Sequence, residues 1–251
     1  MTFPFTVQIG SATLSMHAIM ETMAFFTGFR YFLFLRNKHG DAFPASSRIW
    51  VITGAIFGAL VGSRLVGSLE RPYELALTPH LFDYLYNNKT VVGGFLGGLF
   101  GVEIVKKLIG EKRSSGDLFV YPMILALIIG RIGCFSMGVY EETYGNESSL
   151  PWAMKLGDNV PRHPVTLYEI CFLLLLWIAL KILQQKQQLE SGALFKLFMI
   201  SYLAFRFLLD YVKPHYTVLS GISTIQLTCI AGLAYYLPVL LQPKKLFASY
   251  A

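Results

Sequence analysis

Seven apolar stretches alternate with short polar segments along the chain. Only a helix satisfies its own backbone hydrogen bonds in lipid, and a helix needs about 20 apolar residues to cross a bilayer. The pattern therefore predicts an all-α, polytopic integral membrane protein with about seven transmembrane helices, forming a single domain over residues 1–251. The predicted spans are about 14–35, 49–68, 90–109, 117–135, 165–183, 193–212 and 222–241.

The lysines and arginines are distributed unevenly between the segments that connect these spans. Most of them follow the first, third, fifth and seventh spans. Because positive residues accumulate on the cytoplasmic side of a membrane, we expect the N-terminus outside and the C-terminus in the cytoplasm. The longest connection, about 136–164, then lies outside, and a loop of this length is often functional.

Composition agrees with this class of protein. Hydrophobic residues make up 54% of the 251 residues and charged residues 14%, against about 25% charged in an average soluble domain. Membrane orientation explains the formal charge of +6 better than nucleic acid does, so we expect a lipid bilayer as partner and no nucleic acid. Cys134, Cys171 and Cys229 lack CxxC spacing and are expected to be free thiols.

Most ionisable residues in or beside the predicted spans fall towards the outer side. Placing a charge at membrane depth costs about 2.5–3.5 kcal/mol, so such residues usually have a function. The arginine fork suits phosphate, and the abundant anionic phosphate of an outer leaflet is a phospholipid head group. We therefore expect an anionic-ligand site with acid–base chemistry. The outer group is His17, Glu21, Arg64, Arg131, His163, Glu169, Arg206 and Asp210.

Simpler interpretations exist for individual residues. Glu103 and Lys106 are spaced for an ion pair at a helix end. Arg206 and Asp210 are four residues apart and could neutralise each other, and Arg64 could be an interfacial anchor. The glycine-rich entry to the third span, residues 92–98, admits either close helix packing or the approach of a lipid.

Several motifs resemble those of one known family. Residues 130–135, GRIGCF, are similar to a G-R-x-G-N-F signature, and residues 162–169, RHPVTLYE, are similar to R-H-P-x-Q-L-Y-E. Ala204-Phe205-Arg206 with Asp210 resembles F-R-x-x-x-E. These motifs, in this order, resemble the prolipoprotein diacylglyceryl transferases.

The resemblance implies transfer of diacylglyceryl from phosphatidylglycerol to the lipobox cysteine of a prolipoprotein, forming a thioether and releasing glycerol phosphate. The chain would act in the cytoplasmic (inner) membrane of a bacterium, with its site towards the outer leaflet. No cofactor and no metal are expected. The implied catalytic residues are Arg131, His163, Glu169 and Arg206, with His163 preferred as the base. The implied substrate-binding residues are Gly93, Gly94, Arg64, Glu142, Gly145, Tyr168, Asp210, Gln226, His17 and Glu21.

The sequence also departs from the family pattern. Val92 occupies the position of a family histidine, and Cys134 that of an asparagine. His17 and Glu21 could replace the lost histidine if the first span packs against the third. Two alternatives remain open: a related transferase with another acceptor, and a non-catalytic carrier or anionic-lipid-binding protein. A transporter ranks lower, because transporters place their polar site near mid-membrane.

Overall fold

The computed structural model describes residues 3–214, 216–219 and 221–248, and most of them are helical. The α-helices are α1 (Met16–His39), α2 (Ala45–Ser68), α3 (Pro72–Leu77), α4 (Leu81–Asn87), α5 (Val91–Leu108), α6 (Val120–Met137), α7 (Val165–Lys186), α8 (Ala193–Leu209), α9 (Thr224–Tyr235) and α10 (Leu237–Leu241). Short 3₁₀ helices cover Asp117–Phe119, Gly138–Tyr140, Asp210–Val212 and Pro243–Leu246.

In the part of the chain that the structure describes, four helical segments are long and apolar enough to cross a membrane: Met16–His39, Ala45–Ser68, Asp117–Tyr140 and Val165–Lys186. They coincide with the predicted first, second, fourth and fifth spans and confirm a helical membrane protein. The third and sixth predicted spans are the shorter helices α5 and α8.

The seventh predicted span is not one continuous helix, which corrects its expected limits of 222–241. Residues 222–223 form a strand, α9 ends at Tyr235, and α10 begins at Leu237. Pro238 lies at the start of α10. Proline has no backbone N–H and its ring clashes with the preceding turn, so α9 cannot continue through it unbroken.

The described residues also form three small antiparallel pairs of strands. They are β1 (Thr6–Ile9) with β2 (Ala12–Ser15), β3 (Met154–Lys155) with β4 (Pro161–Arg162), and β5 (Thr217–Leu219) with β6 (Ile222–Ser223). The β3–β4 pair lies in the loop predicted for 136–164. Helical structure continues to Tyr140, so this loop begins about five residues later than predicted.

Helix packing places α2 against α5 and α1 against α6. Glycines line the contact between α2 and α5. A Cβ atom added at Gly97 would lie 2.2 Å from the backbone oxygen of Gly58. A Cβ atom added at Gly101 would clash in the same way with the backbone oxygen of Gly54. Without side chains the two backbones approach closely, as at other small-residue contacts in membrane proteins. α6 also packs on α7, and α8 on α9.

The core lies where α5, α6, α7, α8 and α9 meet. Its fully buried members include Val92, Ile124, Leu173, Phe198 and Ile225, one from each of these helices. This apolar core surrounds the buried polar side chains of α6, α7 and α8.

Candidate active site

A buried carboxylate stands between two arginines at the junction of α6, α7 and α8. Glu169 Oε2 lies 2.8 Å from Arg131 Nε and 3.2 Å from Arg206 Nη1. The Tyr202 hydroxyl donates to the other oxygen, Oε1, at 2.7 Å. Glu169 is only 1% exposed. Burying an ionised carboxylate is costly unless it is paired and hydrogen-bonded, and both conditions are met here.

The positions of these four side chains along their helices explain why they meet. Arg131 lies in the last two turns of α6 and Glu169 in the first two turns of α7, so both face the same end of the helices. Tyr202 and Arg206 are four residues apart on α8 and therefore share a face. Two cations, one carboxylate and one hydroxyl thus converge from three helices.

A small cavity of about 10 Å³, room for about one water molecule, opens beside this group. Three polar atoms of its lining residues are buried without a hydrogen-bond partner among the described residues: Thr143 Oγ1, Arg206 Nε and Arg131 Nε. Of these, Arg131 Nε lies in an ion pair with Glu169 Oε2. Such atoms call for water or a ligand. Cations outnumber carboxylates in the lining, which favours an anionic oxygen. The lining residues are Arg131, Thr143, Val165, Thr166, Glu169, Arg206, Leu209 and Lys213.

Lys213 and Glu70 extend the charged region beyond the helices. Burial lowers the pKa of Lys213, and the nearby Arg206 guanidinium lowers it further, while Glu70 opposes the shift. Burial likewise raises the pKa of Glu70, against the influence of Lys213. Each charge therefore helps the other to remain ionised in an environment that disfavours both.

The remaining polar groups of α8 and α9 bind one another. Asp210 is 1% exposed and accepts a hydrogen bond from the Ser223 hydroxyl. Ser223 also caps α9 by accepting from the Gln226 backbone N–H, and Gln226 Oε1 accepts from the Ser223 N–H. Among the described ion pairs, Arg206 is joined to Glu169, while Asp210 binds the Ser223 hydroxyl.

His163 lies at the start of α7 in a separate aromatic group. Its Nδ1 is 3.2 Å from the Tyr168 hydroxyl, which also accepts from Trp152 Nε1 at 2.8 Å. Gly145 lies directly against His163: a Cβ atom there would be 2.4 Å from the His163 backbone oxygen. The preferred base therefore contacts Tyr168 rather than the arginine pair.

A second polar cluster joins α1 to α6 and the following loop. His17 Nδ1 lies 3.0 Å from Glu141 Oε2, and its Nε2 lies 3.7 Å from Glu21 Oε2. Cys134 connects this cluster to the Arg131–Glu169–Arg206 group, since its Sγ is 3.6 Å from Arg131 Nη1. Lys89 pairs with Glu21 at 2.8 Å.

Residues 4–241 match the family described as prolipoprotein diacylglyceryl transferase. The chain belongs to this family. It is similar to curated phosphatidylglycerol–prolipoprotein diacylglyceryl transferases. That of Cupriavidus metallidurans is 28% identical over 84% of this chain and 80% of the relative, and that of Nitratidesulfovibrio vulgaris is 29% identical over the same shares. That of Bordetella bronchiseptica is 34% identical over 63% of this chain and 62% of the relative.

In this member of the diacylglyceryl transferase family, some of the predicted site residues lie together and others lie apart from them. The structure brings together Arg131, Glu169 and Arg206. Two other predicted residues have partners outside this group. Arg64 donates to the Tyr86 backbone oxygen, and Glu142 pairs with Arg71.

The glycines at the entry of α5 lie against α2. A Cβ atom at Gly93 would be 2.4 Å from the Gly62 backbone oxygen, whereas one at Gly94 would make ordinary contact with Ser63 at 3.6 Å. Gly93 therefore serves helix packing. α1 packs mainly on α6 rather than α5. Packing of the first span against the third, the condition under which His17 and Glu21 could replace the family histidine, is therefore not its main contact.

Sequence reasoning missed three residues of the site: Tyr202, Thr143 and Lys213. Tyr202 could have been found, because it lies one helical turn before Arg206. Thr143 and Lys213 follow helix ends in segments with no periodic pattern, and only the folded chain brings them to the cavity.

Proposed function

We propose that this protein transfers diacylglyceryl from phosphatidylglycerol to the thiol of a lipobox cysteine in a prolipoprotein. The observation that carries the proposal is the buried Arg131–Glu169–Arg206 group beside a cation-rich cavity. Its members occupy the three motifs that resemble the family signature. Membership of the family and the names of the curated relatives support this reaction.

The two arginines recognise the phosphate and stabilise the leaving group. In the reaction the thiol sulfur forms a bond to the terminal glyceryl carbon, and the bond from that carbon to the phosphate oxygen breaks. Glycerol phosphate leaves with an additional negative charge. Arg131 and Arg206 offer donors fixed by Glu169, so they need little reorganisation to meet this charge.

His163 accepts the thiol proton in this proposal. Glu169 is a poor base because two arginines favour its ionised form. Glu142 is held in an ion pair with Arg71. Tyr168 already accepts from Trp152 and can accept a second hydrogen bond from His163 Nδ1. That tautomer leaves a lone pair on Nε2 for the proton.

The seven helical regions α1, α2, α5, α6, α7, α8 and α9–α10 cross the membrane, with the N-terminus outside and the C-terminus in the cytoplasm. The lysine and arginine distribution supports this orientation. It places the arginine group towards the outer leaflet of a bacterial cytoplasmic membrane.

The other predicted ligand residues have supporting roles. Gly145 and Tyr168 position His163, Asp210 and Gln226 fix the start of α9, and Glu142 holds the loop through Arg71. The remaining predicted substrate contacts are outer-side groups: Arg64, Gly94, His17 and Glu21.

The test is an assay of the purified full-length protein with labelled phosphatidylglycerol and a lipobox peptide. We expect a thioether-linked diacylglyceryl peptide with wild-type protein and a loss of at least a hundredfold in rate with Arg131→Lys. Lysine keeps the positive charge but lacks the planar fork that binds phosphate and Glu169 together. Retained thermal stability and a monodisperse elution profile would show that the variant still folds.

Arg30→Lys is the matched control, since Arg30 is an exposed arginine on α1 and should leave the rate unchanged. Wild-type rates in Arg131→Lys would remove this arginine from the reaction. Phosphatidylglycerol binding without thioether product would contradict the proposed acceptor and favour a different acceptor or a lipid-binding protein.

A further inference from the structure

We propose that His17, Cys134 and Glu141 form a binding site for a divalent transition-metal ion of the zinc class. One ligand atom from each side chain lies within 4.8 Å of the others. His17 Nδ1 and Glu141 Oε2 are 3.0 Å apart, and both are buried atoms that lack hydrogen-bond geometry to any described group. This site goes beyond the transferase reaction and does not depend on it.

The donor atoms suit this class of ion. Imidazole nitrogen, thiolate sulfur and carboxylate oxygen are the usual ligands of Zn²⁺, whereas Mg²⁺ and Ca²⁺ take oxygen ligands almost exclusively. Bonds of about 2.0–2.3 Å in a tetrahedral site hold ligand atoms about 3.3–3.8 Å apart. Small side-chain rotations therefore suffice to bring the three atoms onto one ion, with the fourth position left for water or another ligand.

The backbone brings the three ligands together through a close helix contact. A Cβ atom at Gly133 would lie 2.9 Å from Met20 Cβ and 3.3 Å from the Cα atom of His17, so a larger residue would separate α1 from α6. Gly138 ends α6 with φ of 60°, a conformation that glycine adopts readily. Glu141 follows three residues later and lies against His17.

The surroundings of the cluster complete the pattern of a metal site. Arg131 Nη1 is 3.6 Å from Cys134 Sγ, so the thiol lies beside a cation. Glu21 Oε2 lies 3.7 Å from His17 Nε2, the ring nitrogen opposite the proposed ligand atom. A carboxylate on the far nitrogen is the usual partner of a metal-bound histidine, because it fixes the ring and raises its basicity.

The test uses full-length protein in detergent, stripped with a chelator and then dialysed against Zn²⁺ or Co²⁺. We expect one bound ion per chain by elemental analysis and, with Co²⁺, an absorption band from sulfur-to-cobalt charge transfer. Cys134→Ser and His17→Ala should each weaken binding by more than about 100-fold, since changes to the outer partners alone cost 10–100-fold. Cys171→Ser removes an exposed thiol elsewhere and should bind as wild type does.

A Cys171→Ser/Cys229→Ala double variant leaves Cys134 as the only thiol and tests the site without changing it. Retention of the cobalt–sulfur band in this variant would support the proposal even if Cys134→Ser did not fold. Absence of bound metal in wild-type protein, or a band that persists in folded Cys134→Ser, would overturn it. The cluster would then be an ion pair with a neighbouring thiol. None of these measurements uses transferase activity, so failure of the metal site and failure of the transferase proposal are distinguishable.

Discussion

At the scale of single residues, the decisive feature is how the buried charges are paired. Arg131, Glu169 and Arg206 could be selected from the sequence because ionisable groups in apolar helices are rare. Their pairing could not: spacing along α8 suggested Arg206 with Asp210, whereas the fold pairs Arg206 with Glu169 on another helix. Local spacing identifies neighbours on one helix, but contacts between helices depend on how the helices are rotated and packed.

Removing the Tyr202 hydroxyl tests this pairing by changing a single atom. Tyr202→Phe removes the hydroxyl that donates to Glu169 and keeps the ring. A hydrogen bond to a charged group contributes about 1.5–3 kcal/mol, so we expect a loss of about that size in the free energy of unfolding. Denaturation in detergent would measure it.

Tyr211→Phe is the control, because Tyr211 is 54% exposed and its ring packs on Phe207. Equal effects of the two substitutions would contradict the assigned role of the Tyr202 hydroxyl.

At the scale of helices, glycines allow the close contact between α2 and α5. The alternative readings of the glycine-rich entry to α5 were helix packing and lipid approach. The contact of α5 with α2 supports packing at Gly93, Gly97 and Gly101. The glycines recur at four-residue intervals, which places them on one helix face, but the sequence alone did not show which helix that face would meet.

Gly97→Ala should destabilise the α2–α5 contact. Its Cβ atom would lie 2.2 Å from the backbone oxygen of Gly58, and backbone cannot move aside as a flexible side chain can. Overpacking of this kind costs about 1–3 kcal/mol. Thermal denaturation of the purified variants would show a lowered midpoint for Gly97→Ala.

The neighbouring Gly98→Ala is the matched control on the same helix. Its Cβ atom would lie 3.4 Å from the Ala55 backbone oxygen, an ordinary contact. Alanine is also favoured over glycine within a helix by about 0.5–1 kcal/mol, so this variant should be as stable as wild type or more so. A similar loss in both variants would rule out the glycine contact as the cause.

At the scale of the whole molecule, a buried ion pair ties three segments together at the end opposite the arginine site. Asp41 accepts from Arg48 Nε at 2.8 Å and lies 3.1 Å from Arg36 Nε. Arg48 is 3% exposed and also donates to the Ser115 backbone oxygen at 3.3 Å. Asp41 therefore links the end of α1 to the start of α2, and Arg48 links both to the segment before α6.

Asp41→Asn should destabilise the protein by about 3–5 kcal/mol, because it leaves Arg48 buried without its carboxylate. Burial opposes ionisation of Asp41, but hydrogen bonds from Arg48 and the Phe43 backbone outweigh it and hold the pKa below its ordinary value. A lowered pKa stabilises the fold above about pH 4, and this contribution disappears as the pH falls through the folded-state value.

Melting curves of wild type and Asp41→Asn between pH 3 and pH 7 would test this linkage. The difference in melting midpoint between the two proteins should be largest near pH 7 and should shrink below about pH 4. Glu103→Gln is the control, since Glu103 is an exposed partner of Lys106 at 3.1 Å, as its spacing predicted. A pH-independent difference for Asp41→Asn would contradict the proposed ionisation.

The sequence by itself determined the helical membrane class, the approximate positions of the helices and four of the buried charged residues. These follow from local properties: apolar length, helical period and the cost of charge in lipid. Only the tertiary structure decided that Glu169 bridges two arginines, that Tyr202 and Lys213 join the site, and that His17 meets Cys134 and Glu141. These contacts join residues far apart in sequence, so they depend on helix rotation and close packing, which no single stretch of sequence encodes.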